Sequence, residues 1–402
     1  MLIFADDTTL LACGQDPAEI AIQLNRDLGK ISDWAKKWKV AFNTSKSKDM
    51  IFSKKCLNNS PPLILNNEII NRVNSHKHLG VYLQSNLDWS TQINETCLKA
   101  NRKLSVLRNI KFLKRKTLDL LYKVIVRSII DYALPIYANT LKVTELARLE
   151  RIQYKAAKIV TGALHFTNQD KLNLDLGWES IKQRIDFLGL CFFHKIHRQE
   201  TRPLIRSCMS KLDRDKVRIT RSKGGYLPFK NYGNTFLKSF FPHISKFWNS
   251  LPLSTQCLDV SEFKKQLKLD MKPLKIKHNT QGSKIGNCLL TRIRVGRSDL
   301  NLHKFVIGQA ETPECLCHFK EESSKHYILD CFLYTAERQT LLTLVEHYIP
   351  YFSSISKSNR YNILMYGLHT NNPEYNYLNM KITIALQNYI LKTKRFDTPF
   401  PF

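Results

Sequence analysis

Four donors of the kind that hold a soft or borderline metal lie close together near the end of the sequence. In ETPECLCHFKEESSKHYILDC they are Cys315, Cys317, His326 and Cys331, spaced Cys-x-Cys-x8-His-x4-Cys. Three thiolates and one imidazole match a closed tetrahedral Zn2+ site, although the first gap is tighter than such sites usually show. His318 is an alternative ligand, and packed Cys and His without metal is the competing reading. A second candidate opens the chain, where MLIFADDTTLLA places Asp6 and Asp7 between two apolar runs. The flanks read as strands of a buried hairpin with the acids at its turn. Hard divalent ions such as Mg2+ take carboxylate oxygen, and phosphoryl transfer between nucleotides uses two ions ~3.5 to 4 Å apart. Asp-Asp is also common in turns for local hydrogen-bonding reasons, so the pair alone does not decide.

Asp16-Pro17 looks like a helix N-cap followed by a first-turn proline, and Ile20, Leu24, Leu28, Ile31, Trp34 and Trp38 then recur at helical steps. That helix is expected on the sheet containing the opening hairpin. Short apolar runs at 47–53, 62–70 and 79–84 read as further strands, after which the period becomes helical. One helix is expected from Leu118 to Tyr132, stopped by Pro135. A second, from Leu146 to Ile159, ends at Gly162. In this second helix Arg148, Arg151, Lys155 and Lys158 share a face, which reads either as a solvated surface or as a phosphate-tracking ridge. A further helix is expected over 174–197, a basic loop over 213–225, short helices over 236–248 and 261–267, and a basic linker over 269–284. His76, His78, His194 and His197 lack partners at ligand spacing, and Cys191 and Cys208 read as packed thiols.

The chain has 402 residues, long enough for more than one core. A net charge of +28 concentrates polyanions, so RNA or DNA is the expected partner. No run is apolar enough to span a membrane and no signal peptide is evident, so the protein is expected inside the cell, nuclear or cytoplasmic, and not secreted. Ten scattered cysteines suit free thiols rather than a disulfide framework.

The order aromatic-Ala-Asp-Asp-Thr between two strands resembles the active-site hairpin of reverse transcriptases, in the form carried by non-LTR, LINE-like retrotransposon polymerases. WKVAFNTSKSKDMIFS, with Asn43 and Lys46, is similar to the palm segment that follows. His78-Leu79-Gly80-Val81 resembles the primer-gripping hairpin, and Leu87-Asp88-Trp89 with the next helices looks like the thumb. LGWESIKQR, FWNSLP and SEFKKQLK are similar to the region after the thumb. LLTRIRVG, HKFVIG, the cysteine cluster with Tyr334 and Arg338, and the closing YILKTKRF resemble the C-terminal Cys/His module of jockey-like elements.

The resemblance implies an α+β, mostly α chain: a partial palm with a small antiparallel sheet plus helix at 1–88, a helical thumb at 89–166 and a helical connector at 167–268. The basic linker at 269–284 and a zinc-type domain at 285–402 complete the expected order. It implies RNA-directed DNA polymerase chemistry with Asp6 and Asp7 on Mg2+, and nucleic-acid contacts from Asn43, Lys46 and Gly80, to which the net charge adds the 148–158 ridge. The family's third catalytic acid and its fingers precede this point, so the chain is expected to be the C-terminal part of a longer polymerase, inactive alone and completed by an N-terminal half in trans. A noncatalytic nucleic-acid-binding protein and a nonfunctional transposon remnant are the alternatives. Glu311, Glu314, Glu321, Glu322 and Asp330 should keep phosphate off the cysteine cluster, leaving Arg292, Arg294, Arg297 and Lys304 just before it as the candidate phosphate contacts.

Overall fold

A computed structural model describes residues 2–53, 60–198, 200, 201, 203, 205, 233–271, 281–368 and 374–396. They fall into two compact units, Met1–Glu95 and Thr96–Phe402. The expected loop at 213–225, Cys208 and most of the expected linker lie outside the described residues.

In the first unit, β1 (Leu2–Phe4) and β2 (Asp7–Thr9) form the expected hairpin, with Leu2 opposite Thr9 and Phe4 opposite Asp7. Asp6 occupies the turn and Asp7 opens the second strand. The hairpin is not buried, since Leu2, Ile3 and Phe4 are all exposed. Helix α1 (Pro17–Trp38) starts where Asp16 accepts the Ala18 amide at 2.8 Å and ends at Lys39, which takes φ 54°. Its buried face is Ala21, Leu28, Ser32 and Ala35, and Trp34 and Trp38 stay exposed, so the expected stripe is rotated. The reason is its partner: Ala21 and Leu28 pack on Leu63, Leu65 and Ile70 around β4 (Ile64–Leu65) and β5 (Glu68–Ile69), and Leu10 reaches only the edge of this cluster. Small residues let that hairpin come close, and the bulky indoles are left outside.

Strands β3 (Lys48–Asp49) and β6 (Asn71–Arg72) run parallel, tied by an Arg72–Asp49 ion pair at 2.6 Å. Strands β7 (Ser75–His78) and β8 (Val81–Gln84) form an antiparallel hairpin whose turn, Leu79 at φ 44° and Gly80 at φ 82°, needs the two left-handed residues of a primed turn. Each described sheet has two strands, so the expected palm sheet is not assembled among the described residues.

Beyond α2 (Ser90–Asn109), the second unit is helical. Helix α3 (Arg115–Leu121) continues through a π-helical segment, Tyr122–Arg127, into α4 (Ser128–Asp131), burying Leu118, Tyr122, Val126 and Ile130. The break comes at Ala133, φ 54°, ahead of Pro135, which then starts α5 (Leu134–Tyr137) instead of only ending a run. Tyr122 stacks on Trp178 at 4.1 Å and donates to Gln153 of α6 (Val143–Thr161).

The expected helix over 174–197 is two. Helix α7 (Gln169–Leu176) stops at Gly177, φ 63°, and α8 (Ile181–His197) restarts on a capping box formed by Ser180 and Gln183. Helix α8 packs Phe193 and Ile196 against Ile244 and Trp248 of α9 (Phe240–Ser250) and Phe263 and Leu267 of α10 (Val260–Met271). The final core gathers α11 (Lys284–Arg294) and, past the short α12 (Asn301–Val306), which buries none of its residues, α13 (Ser324–Leu329), α14 (Thr335–Tyr348), α15 (Lys357–Tyr366) and α16 (Glu374–Lys392) around Tyr327, Leu341, Phe352 and Leu386. Each fully buried apolar side chain there contributes about 1.5–3 kcal/mol.

Candidate metal centre and basic face

Cys315 and Cys317 sit in a tight turn in which His318 takes φ 62°, closed by the Cys315 amide donating to the Phe319 carbonyl at 2.9 Å. His326 comes from α13, started by Ser323 as its N-cap, and Cys331 follows where the helix unwinds. The four donor atoms all lie within 4.8 Å of one another and all four residues are buried. The Cys315 and Cys331 sulfurs are 3.7 Å apart, close to the ~3.8 Å edge of a tetrahedron with zinc–sulfur bonds of ~2.3 Å and far from a disulfide bond. His326 Nε2 lies 3.2 Å from Cys317 Sγ and is the inward-facing nitrogen. His318, the alternative ligand, is 90% exposed and faces Glu314.

Burial holds His326 below its ordinary pKa, favouring the neutral imidazole that binds metal, and pushes the Cys315 and Cys331 thiols up. Phe319 stacks on the His326 ring at 4.3 Å and 5°, fixing the ring plane, while Nδ1 has no hydrogen-bond partner among the described residues. These donors could hold a metal such as zinc, and among the described residues no other three metal-binding side chains converge.

Asp6 and Asp7 are exposed and are not joined by a third such ligand among the described residues. The structure adds neighbours the sequence reading set aside. His78 Nε2 lies 3.4 Å from Thr9 Oγ1, and Asp7 acts electrostatically on His76. The β7–β8 hairpin therefore stands beside the acids, a placement for which alternate histidines on one strand were the only signal. Asn43 caps its own turn, accepting from the Lys46 amide at 3.0 Å, and Lys46 is exposed.

The basic candidates separate into two groups. Arg148, Arg151 and Lys155 lie exposed along α6, and Lys158 is half-buried over the Tyr154 ring at 4.6 Å. Burial and then the charge of Lys155 lower the Lys158 pKa. Arg297 and Lys304 are half-buried. Arg294 is enclosed instead: its side chain is 6% exposed, donates to the Met365 carbonyl at 2.7 Å and faces Asp175 at 3.8 Å. It cannot be the phosphate contact expected of it. Arg292 is half-buried, with Nε on the Gly162 carbonyl at 3.0 Å. Two of the acids near the cluster are also engaged, Glu322 inside the protein by Arg395 and Asp330 at the surface by Lys357, each at 2.6 Å.

No family model and no solved structure matches this chain. Curated Drosophila melanogaster proteins do. The probable RNA-directed DNA polymerase from transposon X-element is 24% identical over 205 residues, which cover 50% of this chain and 22% of that protein. The RNA-directed DNA polymerase from mobile element jockey is 24% identical over 199 residues, 48% of this chain and 21% of its own. The chain is similar to jockey-like transposon polymerases. A third such relative, the probable RNA-directed DNA polymerase from transposon BS, is 24% identical over 189 residues, 45% of this chain and 20% of that protein. The chain thus spans about a fifth of the length of the jockey-like relatives it matches. Among the described residues no helix is long and apolar enough to cross a membrane.

Proposed function

We propose that this chain holds RNA or DNA as part of a jockey-like RNA-directed DNA polymerase. In this reading α6 supplies the contact ridge and a Zn2+ ion on Cys315, Cys317, His326 and Cys331 orders the C-terminal module. The observation that carries it is the row Arg151, Lys155 and Lys158 along one helix, in which Lys155 acts against the charge of Lys158, whose pKa burial already lowers. A polyanion relieves that repulsion and releases its own counterions. Zinc here is structural, since four protein donors leave no coordination position for a substrate.

The test is fluorescence anisotropy of a labelled single-stranded RNA over a range of KCl. Each of Arg151→Ala and Lys155→Ala should lower the slope of log affinity against log salt by about 0.7. Unchanged affinity and slope in the double variant would remove the ridge from the reading.

Exposed Asp6 and Asp7, lacking a third described ligand, favour a second reading in which the chain binds nucleic acid without polymerising it. Mg2+ would then lack the ligands that complete octahedral coordination. Primer extension on an RNA template with Mg2+ or Mn2+ separates the two, run with and without the N-terminal half of a jockey-like polymerase as a second chain. Extension abolished by Asp6→Asn assigns the chemistry to this hairpin, and none under either condition leaves binding alone.

A further inference from the structure

Gly296 ends α11 in a left-handed turn, φ 72°, and is exposed. That backbone angle alone accounts for a glycine. What surrounds it is a separate matter. Apart from its two chain neighbours, a Cβ added there would meet Lys171 Nζ at 3.7 Å and His303 Nε2 at 3.9 Å, and Lys171 Nζ also donates to the neighbouring Val295 carbonyl at 3.4 Å. Two cationic or proton-binding nitrogens from α7 and α12 therefore converge on one open spot over bare backbone.

They can lie no farther apart than the sum of those distances. A phosphate held by N–H···O bonds keeps its phosphorus about 4 Å from each donor nitrogen, so one tetrahedral anion spans the interval. Ser298 Oγ lies 2.7 Å from His303 Nδ1, which fixes the ring and leaves Nε2 toward the opening. Arg297, the next residue, acts on both His303 and Tyr154, the ring under Lys158. The spot is thereby joined to the α6 ridge. The carboxylate that acts on His303 is Glu322, and Arg395 already engages both of its oxygens at 2.6 Å.

We propose that Gly296 floors a phosphate subsite, where Lys171, His303 and Arg297 hold one phosphate of a nucleic-acid strand lying along α6. The inference rests on the nucleic-acid reading above for its ligand, and on the Gly296 geometry for its place. A proton follows the phosphate. Burial, Lys171 and Arg297 keep His303 below its ordinary pKa against the pull of Glu322, and an arriving dianion or phosphodiester offsets the two cations. His303 therefore takes up a proton on binding, and affinity rises as pH falls through the pKa of the bound state.

Two measurements on the full chain test this separately from the ridge. First, inorganic phosphate is titrated into protein with labelled histidines, and the His303 resonance is assigned by its loss in His303→Gln. Phosphate should raise the His303 pKa in the parent protein and not in Lys171→Met, whose exposed side chain can change without disturbing the core. Second, binding of single-stranded RNA carrying a 5′-hydroxyl or a 5′-phosphate is followed at pH 6 and pH 8. Lys171→Met should weaken binding about tenfold and lower the salt slope by about 0.7, and His303→Gln should flatten the pH dependence. Equal losses for both RNA ends place a backbone phosphate in the subsite, and a loss confined to the 5′-phosphate RNA places a strand end there. If phosphate leaves His303 unmoved and both variants bind RNA as the parent does, the subsite is refuted while the α6 ridge stands. A His303 that responds to phosphate in a chain that binds no RNA keeps the subsite and refutes the ridge.

Discussion

The Arg115 guanidinium and the Asp175 carboxylate meet at 2.6 Å inside the second unit, with side chains 6% and 3% exposed. Arg294 faces the other Asp175 oxygen at 3.8 Å, so one acid answers two buried cations from α3 and α11. Thr291 completes the group by accepting from Arg115 at 2.8 Å. Removing the acid strands both cations, and Asp175→Asn is expected to cost about 3–5 kcal/mol in urea unfolding. Arg294→Met should cost less, because it removes the second cation from a single acid while keeping most of the volume. Equal costs for the two changes would mean that charge balance is not what holds the group together.

The cysteine cluster gives a pH prediction whose sign follows from burial. The raised Cys315 and Cys331 thiols are protonated in the metal-free protein near neutral pH, so zinc must displace protons to bind. Apparent affinity, read by competition with a chromophoric chelator between pH 6 and pH 8, should climb with pH. Cys331→Ala should lose the ion and lower the melting temperature, while His318→Ala should leave both unchanged. A metal content that survives Cys331→Ala would overturn the assigned ligand set.

What the sequence disclosed was local. The four donors lie in one short segment, and Asp16-Pro17, Ser180 with Gln183 and Gly162 each act within a turn or two of their own helix. Which side of a helix faces inward depends on distant partners, and there the sequence was mute. The run Arg292, Arg294, Arg297, Lys304 reads as uniformly basic, yet Arg294 turns inward to an aspartate more than a hundred positions earlier. Trp34 and Trp38 continue a helical stripe but are exposed, because the β4–β5 hairpin packs on Ala21 and Leu28 instead. Lys171 and His303 had no pattern to unite them, since their meeting at Gly296 is made by the fold alone.

The closing segment is tied to the cysteine module by a charged fork, beside the Thr393–Tyr327 hydroxyl contact at 2.6 Å. Arg395 donates from Nε and Nη2 to the two oxygens of Glu322, each at 2.6 Å, and the Glu322 side chain is fully buried. The Glu322 amide in turn donates to the Pro313 carbonyl at 2.7 Å, two residues before the first ligand. Arg395→Ala leaves that carboxylate buried without a counter-charge, held only by the Asn301 amide at 2.6 Å, so a loss of about 3–5 kcal/mol is expected, together with weaker zinc retention. Arg395→Lys should rescue little, since an ammonium cannot reproduce the two parallel bonds. Full rescue by lysine in a denaturation series would show that charge, not the fork, is what matters.

Gly162 carries two constraints that a double-mutant cycle can separate. It ends α6 at φ 67°, a conformation costing an L side chain about 1–2 kcal/mol, and its carbonyl accepts from Arg292 of α11. A Cβ at this position would also overlap the Cys288 sulfur on α11. Gly162→Ala is therefore expected to destabilise by about 2 kcal/mol or more, the backbone strain and the overlap adding together. In the background of Cys288→Ala the overlap with sulfur is removed, the Cβ of residue 288 still stands 3.1 Å away and the strain is unchanged, so the same change should cost less than in the parent protein but not nothing. A coupling energy near zero between the two substitutions would show that α6 and α11 can move apart to accept the methyl group, and that the close approach of their ends is not fixed.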